Sequence, residues 1–264
     1  MTQYPSYLHV ERTGEGPALV LMHGAGEDTS LLAGQAAAFA QRGFTAISYD
    51  RRGTGRSTRE GWPGGGVRQH VEDAADLIRT TVDGPARVLG FSSGGVIALA
   101  LAVSHPDLVT EIIAWEPAAV SVLPDADALH ELIMGPAYAH LAAHPGDWTG
   151  AYDLLLMAMS GGEADLADPT VAAMRRNAEA AVRDDAEVIT RHRFRADDLE
   201  AVRAVVAVGS GAGELQAAMA ERLADLMGRP VWTVPGIEDH EIYLHQPERL
   251  ADAVSRRLHL LKRS

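Results

Sequence analysis

The sequence predicts an α/β fold with a mainly parallel, doubly wound sheet and one inserted helical segment. Short β-branched or apolar runs alternate with longer alanine-rich segments, which is the pattern of strands alternating with helices. The alternation stops from about Ser121 to Leu199, where only helical patterns follow one another. We therefore expect a core formed by residues 1–120 and 200–264, and a helical lid formed by residues 121–199.

The individual elements follow from the same patterns. The predicted strands are Ser6–Arg12, Ala18–Met22, Thr45–Tyr49, Arg87–Phe91, Thr110–Trp115, Val202–Val208 and Pro230–Val234. The predicted core helices are Leu31–Arg42, Val67–Val82, Ser93–Ser104, Ala212–Met227 and Pro247–Leu261. The predicted helices of the lid are Asp127–Ala143, Trp148–Met159 and Val171–Ile189. In a doubly wound sheet, functional residues are expected just after the carboxyl ends of strands.

Composition restricts the classes of partner. The formal charge of −13, from 23 basic and 36 acidic residues, argues against nucleic acid and against an anionic membrane surface. The chain has no cysteine, which excludes disulfides and thiolate chemistry. The first residues lack the pattern of a signal peptide, and no run reaches the roughly 20 apolar residues of a membrane span. We expect a soluble, cytoplasmic protein that acts on a small molecule.

The segment Gly90-Phe-Ser92-Ser-Gly94 lies between a predicted strand and a predicted helix. A Gly-x-Ser-x-Gly turn in this place exposes the serine hydroxyl at the edge of the sheet, and the glycines relieve collisions in the bend. Ser92 is therefore the predicted nucleophile. Ser93 is the nearest rival, but its side chain is expected to point away while its amide faces a developing oxyanion.

A glycine-rich turn, His23-Gly-Ala-Gly-Glu27, follows the second predicted strand. Its unhindered amides predict a second oxyanion donor at Gly24 or Ala25, beside the amide of Ser93. The alternative is a plain strand-to-helix turn. His23 is expected to brace this loop rather than to act as a base.

His240 is the predicted general base because it follows the last predicted strand, in the loop before Pro247. A base on such a loop can reach a nucleophile across the sheet edge while a carboxylate orients its other nitrogen. His245, in the same loop, is the rival. His140 and His144 have a spacing that could suit a metal, but no carboxylate motif accompanies them. We therefore expect neither a metal nor a cofactor.

With these pieces placed, the chain resembles the α/β-hydrolase superfamily over nearly its whole length. Four motifs occur in the family's order: His23-Gly-Ala-Gly26, Asp50-Arg-Arg-Gly-Thr-Gly-Arg-Ser57, Gly90-Phe-Ser-Ser-Gly-Gly95 and His240 before Pro247. The resemblance implies a hydrolase with a Ser92–His240 pair and a helical lid. It also implies structural roles for Asp50, Arg52 and Ser57, which lie in the turn after the third strand.

The third catalytic residue departs from the pattern of most of the superfamily. Alanine stands at position 212, where a Gly-x-x-Asp segment would place the acid, so Glu214 or another carboxylate must replace it. A minority of the superfamily, including the fungal zearalenone lactonases, has its acid one strand earlier, and Glu116-Pro117 matches that place. Glu116 is the predicted acid. Glu214 and Asp239 stay as alternatives.

The resemblance to those lactonases also includes Ser-Ser-Gly at the elbow and a Pro-Gly segment before the histidine, although residues 237–239 lengthen that loop here. We expect a serine hydrolase that cleaves an ester or lactone of a small, largely apolar substrate. A non-hydrolytic member, such as a small-molecule receptor, a perhydrolase or a C–C hydrolase, is the alternative. Large apolar residues of the lid predict the pocket wall, chiefly Met134, Tyr138, Trp148 and Met157 from a group that also holds Met159 and Met174.

Overall fold

The computed structural model describes residues 4–260, which contain seven strands in one sheet. The strands are β1 (Val10–Thr13), β2 (Ala18–Met22), β3 (Thr45–Tyr49), β4 (Ala86–Phe91), β5 (Val109–Trp115), β6 (Ala204–Gly209) and β7 (Trp232–Val234). Their order in the sheet is β1-β3-β2-β4-β5-β6-β7. Only the β1–β3 pair is antiparallel, and the five other pairs are parallel. The predicted mainly parallel sheet is confirmed.

Outside residues 171–189, the predicted helices agree with the observed ones in place and approximate length. In chain order they are α1 (Thr29–Gln41), α2 (Val67–Thr81), α3 (Ser93–Ser104), α4 (Ala126–Ala143), α5 (Trp148–Met159), α6 (Pro169–Met174), α7 (Ala178–Ala180), α8 (Ala196–Glu200), α9 (Glu214–Leu226), α10 (Ile242–His245) and α11 (Pro247–Leu260). The short helices α8 and α10 were not predicted. The predicted last residue of the closing helix, Leu261, lies outside the described residues.

The first strand is shorter than predicted. The sequence suggested Ser6–Arg12, whereas β1 begins at Val10 and pairs only with β3 at the edge of the sheet. Before it, the Leu8 amide donates to the Pro5 carbonyl in a turn, and the Tyr7 carbonyl accepts from the Thr58 amide in the loop after β3, so residues 5–8 bond outside the regular strand pairing. An apolar run alone does not distinguish these two outcomes.

Residues 116–203, between β5 and β6, contain helices and turns but no strand. The single helix expected over Val171–Ile189 is interrupted. α6 ends at Met174, a 3-10 turn covers Arg175–Asn177, and after α7 a π-helix spans Ala181–Ile189. The wider π-helical turn contains the consecutive residues Asp184 and Asp185, both of which are buried. We call residues 121–199 the helical insertion.

Three apolar clusters support this arrangement. One packs α2, α3 and α9 on one face of the sheet, and a second packs α1 and α11 on the opposite face. The third joins α4, α5 and α6 to the π-helix within the helical insertion. The sheet is therefore covered on both faces, which leaves the carboxyl ends of its strands as the accessible edge. Among residues 4–260, no helix combines the length and the apolar character needed to cross a bilayer.

Candidate active site

Ser92 occupies the bend between β4 and α3 with an unusual backbone conformation, φ +50° and ψ −119°. The two glycines of the motif make this bend possible. A Cβ atom at Gly90 would lie 2.4 Å from the Gly94 carbonyl oxygen, and one at Gly94 would lie 2.3 Å from the Met22 carbonyl oxygen. Both contacts are with backbone, which cannot rotate away. The strained bend thus presents Ser92 at the carboxyl end of the central strands.

Glu116 and His240 form a close pair at the same edge. Glu116 directly follows β5, and its side chain is buried. Its Oε2 lies 2.6 Å from His240 Nδ1, while its Oε1 accepts a hydrogen bond of 2.9 Å from the Gly209 amide at the end of β6. Both carboxylate oxygens therefore have partners, and the histidine ring is held with its Nε2 on the side away from Glu116.

Trp115 connects this pair to the serine. Its carbonyl accepts a hydrogen bond of 3.0 Å from the Ser92 amide. Its indole Nε1 donates to the His240 carbonyl at 3.1 Å. Trp115, the last residue of β5, thus contacts both Ser92 and His240, and the next residue, Glu116, contacts His240. Within residues 4–260 there is no direct hydrogen bond between the Ser92 hydroxyl and the His240 ring, and such contacts often tighten only when substrate binds.

The electrostatics of the site favour the charged form of His240. Burial alone would lower its pKa, but the hydrogen bond that the ring donates to Glu116 and the negative charges of Glu241, Glu116 and Glu27 outweigh it and raise the pKa to about 9. The carboxylates therefore stabilise an imidazolium at this position. This is the charge that a histidine acquires when it takes a proton from a nucleophile.

Among the residues that the structure describes, the other carboxylates and histidines considered from the sequence form no hydrogen bond with the side chains of His240 or Glu116. Glu214 is exposed at the start of α9 and makes no contact with His240 in the described part of the chain. Asp239 contacts the rival histidine instead, with its Oδ2 2.6 Å from His245 Nδ1. His140 is paired with Asp147 at 2.8 Å. Glu116 is thus the carboxylate that the structure places on His240.

The glycine-rich turn after β2 lies beside Ser92, and its amides have different partners. The Gly24 amide donates to Glu27 Oε2 at 2.9 Å. The N–H predicted as an oxyanion donor at Gly24 is therefore occupied in this arrangement by the acidic side chain three residues later. The Ala25 amide has no hydrogen-bond acceptor among residues 4–260. Ala25 and Ser93 remain as the candidate donors.

His23 is fully buried beneath this turn. Its Nδ1 lies 2.8 Å from the Gly24 carbonyl, and its Nε2 accepts a hydrogen bond of 3.0 Å from the Arg51 amide. Burial, together with the charge of Arg51, keeps its pKa well below the ordinary value, so the ring is neutral. His23 therefore braces the loop, as the sequence suggested, and has no accessible nitrogen for catalysis.

The aspartate-arginine-glycine segment also makes structural contacts. Asp50 accepts hydrogen bonds of 2.7 Å from the amides of Thr29 and Arg56. Arg52 forms a two-bond ion pair with Asp73 at 2.8 and 2.7 Å. The hydroxyl of Ser57 donates to the Asp50 carbonyl at 2.5 Å. These bonds shape the turn after β3.

A cavity of about 290 Å³ lies between the helical insertion and His240. Its apolar wall includes Leu156, Met159, Val171 and Met174, and its polar wall includes Gln216, His240, Glu241 and His245. None of the four residues predicted as the pocket wall lines this cavity. Met134 is fully buried in the cluster within the insertion, and Tyr138, Trp148 and Met157 lie outside the cavity wall. Of the predicted group, Met159 and Met174 do line it, because they come from the faces of α5 and α6 that point to His240.

Four buried polar residues around Ser92 were not predicted as site residues: Glu27, Arg51, Asp185 and Tyr243. Glu27 and Arg51 belong to the motifs quoted above, and at Glu27 a charged residue directly after a glycine-rich turn was a usable signal. Tyr243 donates to Glu27 Oε1 at 2.6 Å. Burial raises the pKa of Glu27 to about 7, although the hydrogen bonds from Tyr243 and Gly24 oppose the shift. Neither Tyr243 nor Asp185 belongs to a motif that could have indicated it.

Residues 16–262 match the model of a protein family described as serine aminopeptidase, S33. The match covers nearly the whole chain. The chain belongs to this family of α/β-hydrolases. A solved α/β-hydrolase from Sphaerobacter thermophilus shares 25% identity and a TM-score of 0.73, with 94% of this chain and 95% of that chain covered. A structure from a study of carboxylesterases of Nitrososphaera gargenis has a TM-score of 0.75 at 20% identity, with 98% and 97% covered, and supports the fold alone.

Relatives with closer sequences cover shorter stretches of this α/β-hydrolase. The uncharacterized hydrolase YraK of Bacillus subtilis is 37% identical over 120 residues, 44% of this chain and 43% of that protein. A protein of Caulobacter vibrioides, provisionally named carbamate hydrolase RutD, is 31% identical over 165 residues, 57% of this chain and 61% of that protein. The matched stretch thus spans about two fifths to three fifths of these relatives. These matches agree with membership of a hydrolase family.

Proposed function

We propose that the protein is a serine hydrolase that cleaves a carboxylic ester or lactone through an acyl-enzyme on Ser92. His240 is the general base and Glu116 the acid that orients it. The observation that supports this most directly is the 2.6 Å contact between Glu116 and His240 Nδ1, joined through Trp115 to a strained Ser92. A nucleophile, a base and an orienting carboxylate are the parts that acyl transfer requires.

The proposed reaction has two halves. In the first, Ser92 Oγ forms a bond to the carbonyl carbon while its proton passes to His240 Nε2, and the carbonyl π electrons move to the oxygen. The tetrahedral intermediate then expels the alcohol, which takes the proton from His240. In the second half, water attacks the acyl-enzyme with the same base, and Ser92 leaves with the proton restored. Glu116 stabilises the imidazolium in both halves.

The amides of Ala25 and Ser93 are the proposed oxyanion donors. Ser93 opens α3 immediately after the nucleophile, so its amide belongs to the unpaired first turn of the helix. Ala25 lies in the turn that packs against the bend, since a Cβ atom on Gly24 would lie 3.2 Å from the Cβ atom of Ser92. Two fixed donors at a developing negative charge are worth orders of magnitude in rate.

We further propose that residues 121–199 act as a lid over a core of residues 1–120 and 200–264. The helical insertion has its own apolar cluster, and it supplies the apolar wall of the cavity beside His240. A volume of about 290 Å³ suits a small acyl or alcohol group. The substrate is therefore a small, largely apolar ester or lactone.

Chemical labelling tests the proposal. The native protein should react with a fluorophosphonate probe and hydrolyse p-nitrophenyl butyrate, and Ser92→Ala should lose the labelling and about 10⁴-fold or more in kcat. Ser104→Ala is the matched control, because Ser104 is an exposed serine at the end of the same helix. It should label and turn over as the native protein does.

A native protein that neither labels nor turns over any ester would refute the enzyme proposal and favour a receptor of the same fold. The substrate panel should include a short-chain ester, a macrocyclic lactone of the zearalenone type, an aryl carbamate and an amino-acid amide. The last two follow from the name of the Caulobacter relative and the description of the family. Higher kcat/KM for the carbamate or the amide than for both esters would overturn the proposed substrate class.

A further inference from the structure

The peptide unit between Gly24 and Ala25 is fixed through its carbonyl oxygen. The Gly24 oxygen accepts a hydrogen bond of 2.9 Å from Arg51 Nη2 and one of 2.8 Å from His23 Nδ1. The C=O and N–H groups of a trans peptide point in opposite directions. Fixing this carbonyl therefore fixes the direction of the Ala25 N–H, which is one of the two proposed oxyanion donors.

Arg51 is also linked to Ser93, whose amide is the second proposed oxyanion donor, through one carboxylate oxygen of Asp185. Arg51 Nη2 lies 2.7 Å from Asp185 Oδ1, and the Ser93 hydroxyl donates to that oxygen at 2.5 Å. Ser93, Arg51 and Asp185 are all at least 98% buried. Asp185 belongs to the π-helix of the helical insertion, whereas Arg51 and Ser93 belong to the core. A residue of the insertion is thus bonded to the groups that hold both oxyanion donors.

A second contact from the insertion supports the same turn. The side chain of Asn177 donates through Nδ2 to the carbonyl oxygens of Gly26 and Glu27, at 3.2 and 3.3 Å. The backbone of the turn is therefore hydrogen-bonded on both sides of Ala25. Arg51, which is paired with Asp185 of the insertion, holds the carbonyl before it, and Asn177 of the insertion holds the carbonyl after it. A plain packing contact would not need this set of directed hydrogen bonds.

Attaching a helix through the buried Arg51–Asp185 pair costs the free energy of removing two charges from water. Burial raises the pKa of the Asp185 carboxyl, although Arg51 and Ser93 oppose the shift. Ion pairs removed from water often stabilise a fold no better than apolar residues of the same volume. Stability alone therefore gives little reason for a charge pair below the nucleophile.

We propose that Arg51 and Asp185 are positioning residues that orient the Ala25 and Ser93 amides, so that docking of the helical insertion assembles the oxyanion hole. This inference rests on the proposed serine-hydrolase function. It assigns the insertion a part in transition-state stabilisation in addition to forming the pocket wall. Arg51 and Asp185 act through the backbone and do not touch the substrate.

The neighbouring pair Arg59–Asp184 provides a matched control. Arg59 Nη2 lies 2.6 Å from Asp184 Oδ2, and Asp184 stands on the same π-helix and is as buried as Asp185. This pair also joins the insertion to the core. Among residues 4–260, however, Asp184 makes no hydrogen bond with Gly24 or with Ser93. Asp184→Asn therefore removes a docking ion pair and leaves the oxyanion donors in place.

The experiment compares Asp185→Asn, Ser93→Ala and Asp184→Asn with the native protein on p-nitrophenyl butyrate, below the unfolding temperature of every variant. Asp185→Asn should lower kcat by about 30-fold, less than the roughly 10²–10³-fold cost of a lost oxyanion donor because the amides are misaligned and not removed, with KM changed less than twofold. Ser93→Ala removes the tether without uncovering a charge and should lower kcat about fivefold. Asp184→Asn should keep the native kcat. An aryl trifluoromethyl ketone, whose bound oxyanion occupies the hole, should lose affinity for Asp185→Asn in the same proportion as kcat/KM falls.

Equal losses in Asp185→Asn and Asp184→Asn, or a fall in kcat without weaker ketone binding, would show that Asp185 only docks the insertion. If Asp185→Asn does not fold, Ser93→Ala decides alone, and a native kcat in that variant would refute the proposal. The pH at which kcat/KM levels off should stay at the native value in both, because His240 is untouched. A native protein without any turnover would remove the serine-hydrolase proposal and this inference together, whereas native turnover with no difference among the variants removes only this one.

Discussion

Glu116→Gln is expected to lower the plateau of kcat/KM at high pH by about 10²-fold and to move its inflection to lower pH. The pKa of His240 is about 9, roughly 2.5 units above its ordinary value of 6.5. At 1.36 kcal/mol per unit, its surroundings favour the imidazolium by roughly 3 kcal/mol. Glu116 is the carboxylate in direct contact with the ring, so loss of its charge should remove about two of these units.

The sign of the pH effect follows from the role of the neutral ring as the base. In the native protein kcat/KM should rise with pH and level off above about 9. In Glu116→Gln it should level off near pH 7, at a plateau about 10²-fold lower, because the imidazolium formed in the transition state has lost about 2.7 kcal/mol. At pH 7 the two effects nearly cancel, since only about one native ring in a hundred is neutral there. The defect should therefore grow with pH.

Stopped-flow hydrolysis of p-nitrophenyl butyrate from pH 6 to pH 10, corrected for hydroxide-catalysed hydrolysis, measures both quantities. Glu214→Gln is the control, because that carboxylate is exposed and lies away from His240. It should keep the native plateau and inflection. An inflection that stays near 9 in Glu116→Gln, or a defect that is constant from pH 6 to pH 10, would refute the electrostatic role assigned to Glu116.

Two further predictions concern stability. The pKa of Glu27 is raised from 4.5 to about 7, so its contribution to the free energy of unfolding is complete below pH 4.5 and is lost as pH rises through 7. Urea titrations at pH 4.5 and pH 8.5 should show that Glu27→Gln removes roughly 3 kcal/mol of the native protein's fall in the free energy of unfolding between these pH values. A fall as large as that of the native protein would contradict the assignment. Gly94→Ala should lower the free energy of unfolding by about 3 kcal/mol because its Cβ would lie 2.3 Å from the Met22 carbonyl oxygen. Gly135→Ala, in α4 with nothing within 4 Å, should be neutral or slightly stabilising in the same measurement, and similar values for both would show that the bend is not tight.

The sequence predicted the fold well because the sheet is buried on both faces. Ala18–Met22 is continuously apolar and Thr45–Tyr49 is buried at every residue, as strands between two helix layers are, and their ends could be predicted for that reason. The elbow was predictable because only glycine tolerates the backbone contacts at positions 90 and 94. Glu116 was chosen from the resemblance to family members that carry their acid after this strand, and the structure has that strand, β5, next to β4.

The surroundings of the site follow no such rule. Asp185 reaches Ser93 across 92 positions of sequence, and that meeting depends on how a π-helix packs on the core. The residues that line the cavity differ from those predicted as the pocket wall, because the pattern of an amphipathic helix shows which residues are apolar but not which neighbour each face meets. Met134 packs inside the insertion, whereas Met159 and Met174 face His240. Glu27 could have been noticed, since a charged residue that ends a glycine-rich turn is unusual, but its partner Tyr243 lies 216 positions away.

The contacts of Trp115 and Glu116 bear on how the protein should tolerate heat. Ser92 is bonded to the Trp115 carbonyl, and His240 is bonded to the Trp115 indole and to the Glu116 carboxylate. When thermal motion displaces the end of β5, the hydroxyl and the imidazole travel with it as one body. The distance between the hydroxyl and the imidazole then varies with side-chain torsions more than with movement of the loop that contains residue 240. Warming should therefore change the spacing of the two reacting groups only at temperatures at which the end of β5 itself unfolds.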